Sequence, residues 1–112
     1  MNLTIATIAK QINASFEGDA SLLIDAISID SRSLQNGPHT LFFALIGPNN
    51  DAHSYIIDLI QQGVTHFVVQ YIPEDCVGKA HFLVVQNTLA ALQELASYHR
   101  SLFHFPVIGV TG

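Results

Sequence analysis

Leu41-Phe42-Phe43-Ala44-Leu45-Ile46, followed at once by Gly47-Pro48-Asn49-Asn50-Asp51, is the stretch that decides the fold. A continuous apolar run of strand length predicts a central strand covered on both faces, and the Gly-Pro-Asn-Asn-Asp sequence predicts a loop. Beyond it, Tyr55, Ile56, Leu59 and Ile60 share one helical face from His53 onward, Gly63 stands where a C-terminal cap belongs, and His66 to Val69 return to strand character. The result is a strand, helix, strand unit.

The same pattern extends in both directions. Upstream, Thr4 can cap a short helix with Ile5, Ile8, Ala9 and Ile12 at helical spacing, ending near Asn13 before a turn at Glu17-Gly18-Asp19. Leu22-Leu23-Ile24 and Ala26 to Ile29 are short strand-like runs, broken by Asp30-Ser31-Arg32 and by a turn at Gly37-Pro38. Downstream, a strand from His81 to Val85 leads to Asn87-Thr88, which can cap a long helix carrying Leu89, Leu92, Leu95 and Ala96. A last strand is expected at Val107 to Val110. Strands alternating with helices predict an α/β fold, a small mixed, partly parallel sheet flanked by helices.

At 112 residues, 49% hydrophobic and 12% charged, the chain is long and apolar enough to bury a core as one domain. Four basic against nine acidic side chains give a net charge of −5, which argues against a nucleic-acid partner. An anionic ligand would have to be held mostly by backbone N–H groups, with one of Lys10, Arg32, Lys79 or Arg100 assisting. The single Cys76 has no partner thiol, which suits a reducing cytoplasm and reads as packing. The first twelve residues lack a basic region followed by a long apolar stretch, and no apolar run approaches the ~20 residues of a membrane span. A cytoplasmic protein without a membrane partner is expected.

Ligands of α/β sheets gather beyond the carboxyl ends of strands, where two polar loops fall, Asp30-Ser31-Arg32 and Gly47 to His53. Ser31 can donate or accept, Arg32 offers a planar fork suited to phosphate, and Asn49 and Asn50 carry paired groups able to read a base edge. From residue types alone, an Asx-turn or capping role for Asp30 and Ser31 and ordinary loop chemistry for the asparagines is the more economical reading. Asp51 and His53, two apart at a helix start, read as a cap and its neighbour rather than an acid–base pair. The histidines at 39, 66, 81, 99 and 104 lack metal-ligand spacing, so no metal is expected, and no nucleophile motif is present. Gly109-Val110-Thr111-Gly112 after an apolar strand reads either as a strand end and turn or as the opening of a phosphate loop whose Lys-Ser/Thr pair would follow.

Taken in order, Asp30-Ser31-Arg32, Gly37, Leu41 to Gly47, Asp51-Ala52-His53, Gly63-Val64, Val68-Val69, Ala90-Ala91-Leu92, Leu95-Ala96, His99-Arg100 and Gly109 to Gly112 resemble the N-terminal domain of the Mur ligases, the ATP-dependent enzymes of peptidoglycan assembly. The wording around Leu41 to Leu45 and Asp51 to His53 is most similar to members that add D-alanyl-D-alanine to UDP-N-acetylmuramoyl-tripeptide. Members adding the third peptide residue are the alternative. Ile29 to Leu34 and Gly63 to Val69 further resemble the version fused to alanine racemase. Two departures stand out: Gly37-Pro38 reverses the family's usual Pro-Gly, and Pro48 has no N–H to offer a ligand.

The resemblance implies that residues 1–105 bind the UDP end of the muramoyl-peptide substrate through Ser31, Arg32, Gly47, Asn49 and Asn50, with Asp51 and His53 shaping the loop. Residues 106–112 would begin the central ATPase domain of the same chain, with Gly109, Thr111 and Gly112 opening its ATP loop. It implies amide-bond formation through an acyl phosphate, with ATP and Mg in the full-length enzyme, pyridoxal phosphate only with a racemase fusion, and no cofactor in these 112 residues. A rival from another class is a non-catalytic, stand-alone α/β binding or interaction module whose ligand is not a nucleotide, a reading favoured if the loops at 30–32 and 47–53 lie far apart. Since the loop lysine is absent, these 112 residues incubated with ATP and the muramoyl-tripeptide are expected to release no phosphate above background; measurable turnover would refute the assignment of residues 1–105 to substrate anchoring alone.

Overall fold

A computed structural model describes residues 3–16, 18, 20–32, 37 and 39–99. The turn expected at Glu17 and Asp19, Pro38, the expected linker at 104–106, the last strand and the ATP-loop residues Gly109, Thr111 and Gly112 lie outside the described residues. Along the described chain run β1 (Leu3–Thr4), α1 (Ile5–Gln11), β2 (Ser15–Phe16), β3 (Leu23–Ile24), β4 (Ala26–Ser28), β5 (Thr40–Phe43), α2 (Ile56–Gln62), β6 (His66–Val69), β7 (His81–Val84) and α3 (Thr88–Tyr98). One-turn 3₁₀ segments at Ala52–Tyr55 and Glu74–Cys76 precede α2 and β7.

Five strands form a mixed sheet in the order β2-β7-β6-β5-β4, with β4, β5, β6 and β7 parallel and β2 antiparallel at the edge. β1 and β3 make a separate antiparallel pair. Side chains alternate across the sheet, and both faces are apolar, which is why β5 reads as an unbroken hydrophobic run. Leu41, Phe43, Val68 and Leu83 pack with Ile5, Ile8, Leu92 and Leu95 on the α1/α3 face. Phe42, Phe67 and Phe82 pack with Ile56 and Leu59 on the α2 face. These three phenylalanines are register partners on adjacent strands, with ring centroids 6.1 Å apart for Phe42 and Phe67 and 5.7 Å for Phe67 and Phe82.

The local stop and start signals operate as chemistry requires. Thr4 Oγ1 accepts from the Thr7 N–H at 3.2 Å to cap α1, and Asn87 Oδ1 accepts from the Ala90 N–H at 2.9 Å to cap α3. Gly63 ends α2 with φ 107°, a left-handed conformation natural to glycine, while the Val64 N–H reaches back to the Leu59 carbonyl at 3.1 Å. Despite the reversed Gly-Pro order, the turn before β5 is closed by the Thr40 N–H donating to the Gly37 carbonyl at 3.1 Å.

The structure corrects two expectations. β5 ends at Phe43 rather than running to Ile46, because Ile46 folds back into a bridge with Asp51 and is 48% exposed. Leu89 does not join the buried face of α3, which consists of Thr88, Ala91, Leu92, Leu95 and Ala96. Position 89 precedes Leu92 by three residues, yet it lies to one side of the face centred on Thr88, Ala91, Leu92 and Leu95 and is 47% exposed. In urea unfolding, Leu92→Ala is therefore expected to cost about 2–5 kcal/mol and Leu89→Ala about half a kcal/mol or less; equal losses would mean that the helix faces are misassigned.

Candidate functional site

Parallel pairing brings the two polar loops to one edge of the sheet. β4 and β5 are adjacent and parallel, with Ser28 opposite Phe42, so residues 29–32 and 44–53 leave the carboxyl ends of strands that neighbour one another at roughly 4.8 Å. The first loop is tied down locally. Buried Ser28 accepts from the Asp30 N–H at 3.3 Å and donates to the Asp30 carbonyl at 3.2 Å, while Asp30 Oδ1 accepts from the Arg32 N–H at 2.8 Å, an Asx turn. Arg32 projects from it with its side chain 90% exposed, only 3.6 Å from the Asp30 carboxylate, whose side chain is 56% exposed. Such an exposed pair holds its partners weakly, so the guanidinium can turn to an incoming anion at little cost.

The second loop is a tight four-residue tip. Ile46 bridges Asp51, and the Gly47 N–H donates to the Asn50 carbonyl at 2.7 Å. Asn50 Oδ1 accepts from the Tyr55 hydroxyl at 2.9 Å, and Asn49 stands exposed at the tip. Among the described residues nothing demands glycine at position 47. A Cβ there would meet only the Asn50 carbonyl oxygen at 3.5 Å, an ordinary contact.

Asp51 and His53 point inward and act on the loop itself. Asp51 Oδ1 accepts from the His53 backbone N–H at 2.9 Å and from His53 Nδ1 at 2.6 Å. His53 is buried, and its Nε2 accepts from the Gln70 N–H at 3.0 Å, which fixes the neutral ring with its proton on Nδ1. Gln70 Oε1 in turn accepts from the Thr88 N–H at 3.1 Å and from its hydroxyl at 3.3 Å at the start of α3. One polar chain thus crosses from the loop after β5 to the residue after β6 and on to the helix after β7. Partial burial pushes the Asp51 carboxyl up, but hydrogen bonds from Tyr71 and from the His53 backbone and ring outweigh it and hold the carboxyl below its usual range. The Tyr71 hydroxyl, which donates to Asp51 Oδ2 at 2.6 Å, is pushed up by that bond and then by burial.

Of the residues expected at the site, Gly47, Asn49, Asn50, Asp51 and His53 share this one loop, and Ser31 and Arg32 stand on the adjoining one. Sequence reasoning missed Gln70 and Tyr71, which follow β6 at the same carboxyl edge; extending the strand-end rule to the third parallel strand would have found them. Among the described residues no group of three or more His, Cys, Asp or Glu is gathered for a metal. Cys76 is buried, and burial pushes its thiol up, away from reactivity.

Because the folded carboxyl of Asp51 titrates below its ordinary value of 3.8, its contribution to stability is present above that pH and is lost as pH falls through the folded value. The stability gap between the wild type and Asp51→Asn, read by urea unfolding, is expected to be full at pH 7 and to shrink below about pH 4; a gap that does not change between pH 7 and pH 3 would contradict this assignment.

No family model matches the chain. Individual proteins do. It is 32% identical over 112 residues, all of this chain and 24% of the other, to the UDP-N-acetylmuramoyl-tripeptide–D-alanyl-D-alanine ligase of Haemophilus influenzae. It is 34% identical over 97 residues, 85% of this chain and 20% of the other, to the UDP-N-acetylmuramoyl-L-alanyl-D-glutamate–2,6-diaminopimelate ligase of Bacteroides thetaiotaomicron. The chain therefore spans about a fifth to a quarter of the length of the curated relatives it matches. A solved ligase structure from Acinetobacter baumannii, titled as the enzyme joining D-alanyl-D-alanine to the diaminopimelate-containing precursor, superposes with a TM-score of 0.78 at 23% identity, covering 89% of this chain and 22% of that one. With homologues that are Mur ligases and a sheet that superposes on one of them, the chain belongs to the Mur ligase family and has the fold of that family's N-terminal domain.

Proposed function

We propose that this domain anchors the UDP end of a muramoyl-peptide for a cytoplasmic ligase that adds D-alanyl-D-alanine to the tripeptide. The observation that carries the reading is the placement of Arg32 and the Gly47–Asn50 tip on adjacent loops at one sheet edge, in a chain aligned over its whole length with a ligase of that name. Arg32 supplies the charge for the diphosphate, the Ser31 hydroxyl a further hydrogen bond, and Gly47 close approach of the backbone. Asn49 and the amide nitrogen of Asn50 meet the base or sugar, and Asp51 and His53 hold the tip in place. That spacing favours the anchoring reading over the binding-module reading, which expects the loops far apart.

In the whole ligase, ATP and magnesium would activate the peptide carboxylate as an acyl phosphate. The residues proposed to open the ATP loop lie outside the described ones, and no described residue is assigned to ATP or magnesium. Residues 1–105 are proposed as the anchoring domain and 106–112 as the entry to the ATPase domain; a racemase fusion rests only on the resemblance of short segments. The similarity to diaminopimelate ligases at 34% identity supports a second reading, in which the anchored nucleotide carries a dipeptide.

Chemical-shift titration of the chain with UDP-N-acetylmuramoyl-tripeptide tests the proposal. Shifts are expected at residues 31–32 and 47–53, with affinity falling roughly tenfold in Arg32→Ala, the loss of one charge-assisted contact to phosphate. No shifts at millimolar ligand, or shifts elsewhere with Arg32→Ala unaltered, would overturn it. Tighter binding of the dipeptide precursor than of the tripeptide would favour the second reading.

A further inference from the structure

Tyr71 stands outside both polar loops, yet it is built into the second one. It follows β6 and reaches back to the turn after β5: its hydroxyl donates to Asp51 Oδ2 at 2.6 Å. Its ring lies on that of His53, with centroids 4.2 Å apart and planes 10° from parallel. Asp51 Oδ1 is taken by the N–H and Nδ1 of His53, within the same turn, so Oδ2 is the oxygen that ties the carboxylate to the end of the neighbouring strand. The Gln70 N–H on His53 Nε2, at 3.0 Å, holds the turn from the adjoining residue.

Dense packing does not hold the tyrosine in place. The residue is 47% exposed and borders both a hollow of about 120 Å³ near Cys76 and an open groove of about 850 Å³ beside α3. With space on its flanks, the ring owes its position to the hydroxyl bond and the stack. What those contacts fix in return is local. Asp51 bridges Ile46 at the base of the Gly47–Asn50 tip and caps the 3₁₀ turn that follows, so its carboxylate sits where the tip joins the sheet. A carboxylate held on both oxygens keeps one orientation; released on Oδ2, it lets the tip sample others. A loop that is competent only part of the time binds more weakly in proportion to that fraction.

We propose that Tyr71 is a positioning residue for the anchoring loop, a latch whose hydroxyl holds Asp51, and through it the Gly47–Asn50 tip, in the arrangement that receives the nucleotide. The inference rests on the anchoring reading and gives Tyr71 no contact with the ligand. Tyr71→Phe keeps a ring to lie on His53 and removes the latch. It also leaves a signature at the carboxylate itself. The titratable groups facing Asp51 are Tyr71, after β6, and His53 in its own turn; burial raises the carboxyl, and the Tyr71 bond is the largest of the effects that lower it.

The test compares the wild type with Tyr71→Phe, checked for fold by its amide spectrum, in three readouts: the pH midpoint of the Asp51 carboxyl by carbon NMR, hydrogen exchange of the Gly47 amide, and affinity for UDP at neutral pH. The latch predicts that Tyr71→Phe moves the Asp51 midpoint upward, speeds Gly47 exchange and weakens UDP about fivefold, the loss of one hydrogen bond to a charged group. An unmoved midpoint would overturn it, since the bond would then not hold Asp51 in solution. A raised midpoint with unchanged UDP affinity would also overturn it, leaving Tyr71 a structural role and the anchoring reading intact. Weaker UDP binding with Gly47 exchange unaltered would overturn it in a third way, showing that the hydroxyl meets the ligand directly. No binding of UDP by the wild type at millimolar concentration would overturn the latch and the anchoring reading together.

Discussion

The register of Phe42, Phe67 and Phe82 is the constraint on which the rest of the structure depends. Side chains on a strand alternate with a period of two, so a slip of one residue in β5, β6 or β7 would carry a phenylalanine from the α2 face to the α1/α3 face. Both faces are apolar, so exchange of hydrophobic for polar surface does not by itself forbid the slip. Shape does: the α2 face receives three aromatic rings in contact from adjacent strands, whereas the opposite face receives Leu41, Phe43, Val68 and Leu83 against helices α1 and α3. Packing to near-crystalline density admits one of these arrangements. Once the register is set, the ends of three parallel strands are level, and the residues after them fall along one edge.

The polar chain along that edge depends on the levelling. The His53 to Gln70 bond spans the ends of β5 and β6, where Phe43 lies opposite Val68 one residue before β6 stops, and the Gln70 to Thr88 bonds span the ends of β6 and β7, where Val69 lies opposite Val84. Each bond is worth about 0.5–1.5 kcal/mol net, but leaving a buried partner unsatisfied costs about 1–3 kcal/mol. The chain therefore penalises misregister more strongly than it rewards the native state. It also gives a buried histidine beside a carboxylate a structural role: both ring nitrogens and both Asp51 oxygens are engaged within the domain.

Local signals in the sequence were legible where the chemistry is local. Thr4, Gly63 and Asn87 act within four residues of themselves, and each cap lies where spacing placed it. The apolar run at 41–46 identified the central strand but not its end, because the bridge from Ile46 to Asp51 is a property of the loop that follows. The two-residue strands β1 and β2 have no pattern of their own; Leu3 pairs with Ile24 and Ser15 with Val84, partners 21 and 69 residues away. The loop residues of the site were legible by the strand-end rule, and Asp51 was legible as a cap. Its tie to Tyr71, 20 residues on, and that of His53 to Gln70, 17 residues on, were not, since no spacing rule links a loop to the end of the next parallel strand's first turn.

Charge sets how such a domain would divide its work. With a net charge of −5, and Arg32 the one Lys or Arg on residues 29–32 and 44–53, the edge offers a diphosphate little long-range attraction. Affinity for the nucleotide proposed above would then have to come from elements that do not depend on net charge: backbone N–H groups at a glycine and amide pairs. Each is insensitive to salt and selective for the shape of the ligand, whereas a cluster of lysines would bind any polyanion. An acidic edge with one guanidinium would thereby be suited to choosing a nucleotide-tagged substrate among many phosphates, at modest affinity. In a larger ligase the remaining negative charge of the substrate would be met where ATP and magnesium act, so tight binding would be reached only with both domains engaged.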